Sequence, residues 1–282
     1  MKQFFLIAIA ILSIFTIACK NETIKPIDET EGLTLLQEMS NDSSSIELYT
    51  TKSGNLTVGY NDIYLRIKNK NSGNYITDAN LTWMPMMHMI SMSHSGPKSA
   101  ISKVSGKNTL YKGYIVFQMP ENDVEKWTLT VNVMRNGDTA VLTDTIAVKS
   151  AIDTRKRVVS FTGNDGKKYI LALANPQVPF IGINDFSVAL FKRESMLSFP
   201  AVTDATILFD PRMPSMDNHS SPNNVQPTFS AIDNLYHGQL SLSMSGYWKL
   251  NFIVKDATDT VIKGEAISDT TESSSLFLEV EF

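Results

Sequence analysis

The chain has 282 residues, of which 43% are hydrophobic and 19% are charged, enough apolar surface for a buried core in each of two domains. Its formal net charge is −4, so it offers no basic surface to replace the counterions of nucleic acid phosphates, and nucleic-acid binding is excluded. Cys19 is the single cysteine, so the chain forms no internal disulfide and a metal site depends on other ligand types.

The first 18 residues have the pattern of a secretory signal. Residues 1–3 carry one positive charge, and residues 4–17 form an almost unbroken apolar run that is too short to span a bilayer comfortably. The step Thr16-Ile17-Ala18-Cys19 resembles a bacterial lipobox. The resemblance implies a lipoprotein signal peptide at 1–18 and lipidation of Cys19, which anchors the protein to a membrane of the bacterial cell envelope. The alternative is an ordinary signal peptide that is cut near Ala18.

The next segment, residues 19–44, is polar and lacks sustained periodicity, so we expect a flexible tether. From residue 45 onward apolar and polar residues alternate, as they do in half-buried strands. Clear examples are Ile63–Ile67, Trp127–Val133 and Trp248–Val254. Turn signals at Arg135–Asp138 and Gly163–Gly166 separate such segments. This pattern predicts an all-β fold built from sandwiches.

An internal duplication organises this β region, because several landmarks recur in one order at nearly equal spacing. The matched landmarks are Asn61-Asp62 with Asn184-Asp185, Asp78-Ala79 with Asp204-Ala205, His94 with His219, Tyr111-Lys112-Gly113 with Tyr236-His237-Gly238, and Trp127 with Trp248. The separation from the histidine to the tyrosine is the same in both copies. We therefore expect two tandem domains, at 45–151 and 152–282.

Methionine and histidine are concentrated in two segments, Trp83–His94 and Arg212–His219. In each copy we expect a strand to end at Trp83 or Phe209 and these segments to form the loop that follows. Thioether sulfur and imidazole nitrogen are ligand types that favour Cu(I) over hard cations. The predicted copper ligands are Met84, Met86, Met87, His88, Met89, Met92, His94, Met213, Met216, His219 and His237.

Other interpretations of these residues stay open. Methionines pack well in irregular cores and also make adaptable protein-contact surfaces, so the segments are also compatible with packing or docking. His237 has Lys112 as its counterpart in the first copy and is equally compatible with a solvated histidine. The aromatic residues Tyr111, Tyr236, Trp127 and Trp248 are expected in the cores, with a lid over a bound ion as the alternative.

The order of these motifs resembles the YtkA-like domain, which is related to FixH-type proteins. The second copy carries Met213-Pro214-Ser215-Met216, His219, Tyr236-His237-Gly238 and Gly246-Tyr247-Trp248. The first copy has the same motifs but lacks the glycine before Trp127. The resemblance covers most of residues 50–270. It implies immunoglobulin-like sandwiches in exported bacterial proteins that handle copper or assist respiratory oxidase assembly.

Catalytic motifs are absent from the sequence. It has no Gly-x-Ser-x-Gly elbow, no phosphate-binding glycine loop and no His-Glu-x-x-His pair, so we expect no enzymatic activity. The leading hypothesis is a lipid-anchored envelope protein that binds copper for delivery or buffering, with a copper-handling or oxidase-assembly protein as its partner. The alternative is a protein-interaction or scaffold module of the envelope with no metal.

Overall fold

The computed structural model describes residues 28–51, 54–151 and 154–282. The predicted signal peptide and Cys19 lie outside these residues, and so does the predicted domain boundary at residue 152. Within the described ranges, no helix is long and apolar enough to cross a membrane.

The first sandwich is built from two main antiparallel sheets. Its strands are β1 (Thr34–Ser40), β2 (Ser44–Thr50), β3 (Leu56–Thr57), β4 (Gly59–Asn69), β5 (Asn80–His88), β6 (Ser93–His94), β7 (Ser102–Lys103), β8 (Leu110–Phe117), β9 (Lys126–Arg135), β10 (Asp138–Ile146) and β11 (Val148–Lys149). One sheet has the order β1-β2-β4-β8-β7 and the other has the order β10-β9-β5-β6, while β11 pairs with β3. Strands β4 and β8 thus face β5 and β9 across the core, as in an immunoglobulin-type sandwich.

The second sandwich repeats this arrangement. Its strands are β12 (Val158–Thr162), β13 (Lys168–Asn175), β14 (Gly182–Arg193), β15 (Thr206–Met213), β16 (His219–Ser220), β17 (Val225–Ser230), β18 (Leu235–Leu242), β19 (Tyr247–Lys255), β20 (Val261–Lys263) and β21 (Phe277–Glu281), with a short 3-10 helix at Pro214–Met216. The sheet orders are β12-β13-β14-β18-β17 and β16-β15-β19-β20, with β21 also paired to β19. The predicted all-β fold with two tandem immunoglobulin-like sandwiches is confirmed.

Strands form where the apolar period is two, as the sequence predicted. In β9 every second residue, from Trp127 to Val133, is buried against the facing sheet. The hairpin from β9 to β10 turns at Asn136 and Gly137, which both have positive φ angles of 53° and 87°. A two-residue turn of this kind matches the twist of its flanking strands, and asparagine and glycine tolerate those angles best.

The structure differs from the predicted tether at its C-terminal part. Residues Thr34–Ser40 form β1, which pairs with β2 and buries Met39 in the first core. The segment just before it is held as well, because the Glu29 carboxylate accepts hydrogen bonds from the backbone N–H groups of Asn108 and Thr109. The expectation of a tether through residue 44 is therefore wrong from Thr34 onward, since pairing with a neighbouring strand compensates for the polar composition.

The repeated landmarks perform the same structural tasks in both sandwiches. The buried Asn61 side chain accepts a hydrogen bond from the Thr57 N–H and donates to the Thr57 and Gly59 carbonyls. Asn184 makes the same set of bonds with Phe180 and Gly182. Each asparagine thus fixes the backbone conformation of the residues at the start of the central strand, β4 or β14.

The aromatic landmarks are repeated in the same way. The hydroxyl oxygen of Tyr111 accepts a hydrogen bond from the Ala79 N–H at 3.2 Å, and that of Tyr236 accepts one from the Ala205 N–H at the same distance. Both tyrosines are buried, as expected for core aromatics. Burial raises the pKa of Tyr236 to about 12, so the hydroxyl stays protonated under ordinary conditions.

Three apolar clusters hold the molecule together. One cluster is drawn from Met39–Val148 and a second from Tyr169–Val280, so each sandwich has its own core. A third cluster joins the two sandwiches. It lies between the outer faces of the sheet that contains β4 and β8 and the sheet that contains β13, β14 and β18. It packs Tyr60, Tyr114 and Val116 of the first sandwich against residues of the second that include Ala189 and Phe191.

Candidate functional site

The first methionine segment is a strand and not a loop. Strand β5 continues past Trp83 to His88 and pairs with β9 along its whole length. Pro85 fits because β6 pairs only with the last two residues of β5, which leaves that edge open at the proline. The expectation that the strand ends at Trp83 is wrong, and so is the matching expectation for Phe209, since β15 continues to Met213. The donors alternate between two faces because strand side chains do so.

Four of the predicted donors lie on the inward-facing side of the hairpin from β5 to β6, and we call them the inner set. The inner set consists of Met87, Met89, Met92 and His94. Met87 lies directly opposite His94, and the Met89 N–H donates to the Met92 carbonyl at 2.9 Å across the turn. Met87 is fully buried, Met89 packs against the first core, and Met92 is 50% exposed at the hairpin tip.

One ring nitrogen of His94 forms a hydrogen bond within the protein. Its Nδ1 lies 2.8 Å from the carbonyl oxygen of Ser95, and a carbonyl only accepts, so Nδ1 carries the proton. In the neutral ring Nε2 then has the free lone pair that a metal ion requires. The ring also meets the Trp127 indole edge to face, with 5.6 Å between centroids. These contacts fix the orientation of the imidazole on the strand opposite Met87.

Three other donors point to the opposite side of the sheet, and we call them the outer row. The outer row consists of Met84, Met86 and His88, which alternate with the buried Trp83, Pro85 and Met87. Ser95 donates a hydrogen bond from its hydroxyl to the Met84 sulfur at 3.3 Å. His88 Nε2 lies 2.9 Å from the Thr128 hydroxyl. The sheet separates the outer row from the inner set, so the seven donors do not form one coordination sphere.

The second segment keeps only part of this arrangement. Met213 lies directly opposite His219, in the same relationship as Met87 and His94. Met213 is buried in the second core, while His219 is exposed. Met216 lies on the 3-10 helix and is 52% exposed. The second sandwich therefore has one cross-strand pair and no counterpart of the Met89 and Met92 pair.

His237 is not part of the second segment's site. It lies on β18, in the sheet that faces β15 and β16 across the core. Because its neighbour Tyr236 points inward, His237 points outward, where its Nε2 lies 2.9 Å from a carboxylate oxygen of Asp233. The prediction that His237 joins Met213 and His219 is wrong, because the fold places it on the other side of the sandwich.

Two methionines near the site were not predicted. The Trp127 indole N–H donates to the Met119 carbonyl at 3.0 Å, and the Trp248 indole N–H donates to the Met244 carbonyl at the same distance. Both methionine side chains are partly buried against their cores. They precede their tryptophans by eight and four residues, so no shared spacing marks them in the sequence.

Other features of the described residues offer no competing centre. No group of three His, Cys, Asp or Glu side chains in the described ranges is placed to hold a metal ion. A cavity of about 770 Å³ lies between the sandwiches, beside Tyr60, Arg157 and Phe282. No methionine or histidine is among the described residues that line this cavity, so the cavity is separate from the inner set and from the outer row.

Neither a known protein family nor a curated protein matches the chain. Among solved structures, it is similar to the Escherichia coli adhesin FdeC, at 14% identity over 81% of this chain and 65% of that one, with a TM-score of 0.26. It is also similar to a conserved domain protein from Bacillus anthracis, at 8% identity over 90% and 93% of the two chains, with a TM-score of 0.33. The chain thus spans about two thirds of the FdeC structure, and similarities this distant transfer no function.

Proposed function

We propose that the protein binds copper, as Cu(I), at the inner set of the first sandwich. The observation that carries the proposal is the placement of four soft donors on one face of one hairpin, as two cross-strand pairs. Directly opposite residues on antiparallel strands have Cβ atoms only about 5 Å apart. Flexible methionine side chains at that spacing would reach a common point on the inward-facing side of the hairpin.

The chemistry of the donors fits a soft monovalent ion. Three thioethers and one imidazole carry no charge when His94 is neutral, and such ligands favour Cu(I) over Mg²⁺ or Ca²⁺. The Ser95 carbonyl holds the His94 ring in the tautomer with a free Nε2. The buried Met87 sulfur would bind the ion from the core side, and the half-exposed Met92 sulfur would bind it from the solvent side.

The exposure of the hairpin suits exchange of the ion with another protein. Met92 lies at the tip, so a partner's ligand can approach the ion from solvent. Thioethers exchange readily, which allows intermediates in which donor and acceptor share the ion. We therefore propose delivery or buffering of copper, by a YtkA-like protein that is anchored to the bacterial cell envelope through a lipid on Cys19, with a copper-handling or oxidase-assembly protein as its partner.

The test is titration with Cu(I) under a competing chelator, in a Cys19→Ser background that removes the thiol. The inner-set variant replaces Met89 and Met92 with Leu and His94 with Gln, and it leaves the buried Met87 intact. We expect this variant to lose the tightest copper equivalent. The matched control replaces Met84 and Met86 with Leu and His88 with Gln on the outer row, and we expect it to retain that equivalent.

Urea unfolding of both variants checks that each is folded. Unchanged copper affinity in the folded inner-set variant would falsify the proposed site. Loss of the tight equivalent in the outer-row control alone would place the site on the other face of the sheet.

One observation favours the alternative of a protein-interaction module. Val178, Phe180, Ile181 and Ile183 follow one another closely and are 53% to 84% exposed. Exposed apolar groups in one stretch are typical of a contact surface. If this function holds, copper-free protein captures a defined envelope partner, and a Phe180→Ser/Ile181→Ser double variant loses that capture. A variant that keeps full capture would exclude this stretch as the contact surface.

A further inference from the structure

The outer row belongs to a sheet face whose centre is uncharged, and its charged outward residue Lys126 lies at one end, opposite His88. The face is formed by the outward positions of β5, β9 and β10, and its centre consists of Thr82, Met84, Met86, Thr128, Thr130 and Thr143. Between Lys126 and Arg135, which begin and end β9, the outward positions of these three described strands carry no acidic or basic side chain. Charged residues make up 19% of the chain, so an exposed sheet centre made only of threonine and methionine is unusual and needs a physical explanation.

The second sandwich provides an internal comparison. Met84 and Met86 follow the core residue Trp83 by one and three positions, and the residues that follow Phe209 in the same way are Asp210 and Arg212. Asp210 and Arg212 form a salt bridge of 2.7 Å on the outer face of their sheet. The equivalent face thus carries an ion pair in the second sandwich and uncharged thioethers in the first. The fold itself therefore does not require methionines at these positions.

The outer row alone offers an incomplete set of ligands. Consecutive outward residues on a strand are about 6 to 7 Å apart, so neighbouring side chains can share an ion, whereas Met84 and His88 are roughly twice that distance apart. A soft ion held by Met84 and Met86 therefore has open coordination positions. The nearby hydroxyls of Ser95 and Thr130 are harder ligands that Cu(I) does not favour.

We propose that this face is a metal-bridged contact between two copies of the chain, in which each copy supplies Met84 and Met86 to a shared soft monovalent ion. A two-fold axis through the face brings the same patch of both copies together and supplies four thioethers to one ion. Because the centre of the face is uncharged and Lys126 lies at its end, the centres of two identical faces can approach without like-charge repulsion. A second copy is the occupant that this arrangement favours, because each chain supplies only the Met84 and Met86 thioethers and an identical face supplies the missing pair.

The size of the face makes the contact depend on the metal. Three strands about 4.8 Å apart and about nine residues long cover on the order of 400 Å². Stable interfaces bury about 800 Å² on each partner, so the face is too small to hold a dimer by itself. We therefore expect a monomer without metal and a dimer with it. This inference concerns a different set of ligands from the inner set and does not depend on copper binding there.

Sedimentation velocity with added Ag(I), a soft ion that does not change oxidation state, tests the proposal. The Cys19→Ser background excludes disulfide dimers and thiolate ligation. We expect silver to tighten dimerisation at least tenfold, and we expect a Met84→Leu/Met86→Leu variant to stay monomeric. A Thr130→Lys variant keeps both sulfurs but places a charge beside Met84, so it should also stay monomeric while it still binds silver.

The inner-set variant Met89→Leu/Met92→Leu/His94→Gln separates this inference from the proposed function. It should dimerise with silver as the parent protein does, even if its copper affinity is lost. A parent protein that stays monomeric with saturating silver overturns the inference. Silver-dependent dimers that persist in the Met84→Leu/Met86→Leu variant overturn it as well, because the contact would then lie elsewhere.

Discussion

Met87 lies directly opposite His94 across the hairpin from β5 to β6, with the His94 ring turned toward Trp127. Met213 and His219 have the same cross-strand relationship in the second sandwich. The two pairs differ in their surroundings, since His94 is half-buried and His219 is exposed. A Met–His pair is therefore a repeated feature of the fold, while the additional donors Met89 and Met92 accompany it in the first sandwich and have no counterpart in the described residues of the second.

Replacement of Met87 separates its packing role from a ligand role. Met87 is fully buried, so Met87→Leu should cost less than about 1.5 kcal/mol of unfolding free energy. Met87→Ala should cost about 2 to 5 kcal/mol, because it leaves a cavity beside Trp127, its cross-strand neighbour. Urea unfolding followed by tryptophan fluorescence measures both effects.

Met213→Leu is the matched control for Met87→Leu, since Met213 is buried in the other core. If the Met87 sulfur is a ligand, Met87→Leu weakens Cu(I) binding while Met213→Leu leaves it unchanged. Equal copper affinities in the two variants would show that Met87 acts only through packing.

The two repeated tyrosines should differ in their contribution to stability. Tyr111→Phe removes one hydrogen bond, accepted from the Ala79 N–H, and should cost about 1 kcal/mol. Tyr236→Phe removes the corresponding bond from Ala205 and also the bond that its hydroxyl donates to the Val202 carbonyl at 2.9 Å. We therefore expect roughly twice the loss for Tyr236→Phe. Thermal or urea unfolding of the two variants checks the order, and a larger loss for Tyr111→Phe contradicts it.

Gly113 should be intolerant of even a methyl group. A Cβ at this position would lie 2.6 Å from the Trp83 ring and 3.0 Å from the Ala100 carbonyl oxygen. Gly113→Ala should thus lower the unfolding free energy by about 1 to 3 kcal/mol through overpacking. Trp83→Phe makes space on the ring side, so the double variant should lose less than the sum of the single losses. Strictly additive losses would mean that the Trp83 contact is not the cause.

The attachment of the segment before β1 should depend on pH. Burial raises the pKa of Glu29, but hydrogen bonds from the Thr109 hydroxyl and from two backbone N–H groups outweigh it and lower the pKa below 4.5. A folded-state pKa below the unfolded value stabilises the fold above pH 4.5, and the contribution is lost as the pH falls through the folded value. The stability difference between the parent protein and Glu29→Gln should shrink between pH 6 and pH 3. A constant difference across this range would contradict the role of the carboxylate.

The sequence by itself determined the fold class and the repeat. The period-two pattern predicted strands such as β9 and β19, and the Asn136-Gly137 turn predicted a hairpin, because these features depend on neighbouring residues alone. The repeated Asn61 and Asn184 marked equivalent positions because each makes the same short-range hydrogen bonds.

Only the tertiary structure decided which donors lie together. Met86 and Met87 are adjacent in the chain, yet they belong to opposite faces of one sheet, because alternate strand residues point in opposite directions. The polar composition of Thr34–Ser40 predicted a flexible tether, but pairing with β2 makes this segment a strand. His237 was separated from His219 in the same way, since pairing with Ser187 places it in the other sheet. Pairing between strands that are distant in sequence fixed these positions, and no local pattern encodes it.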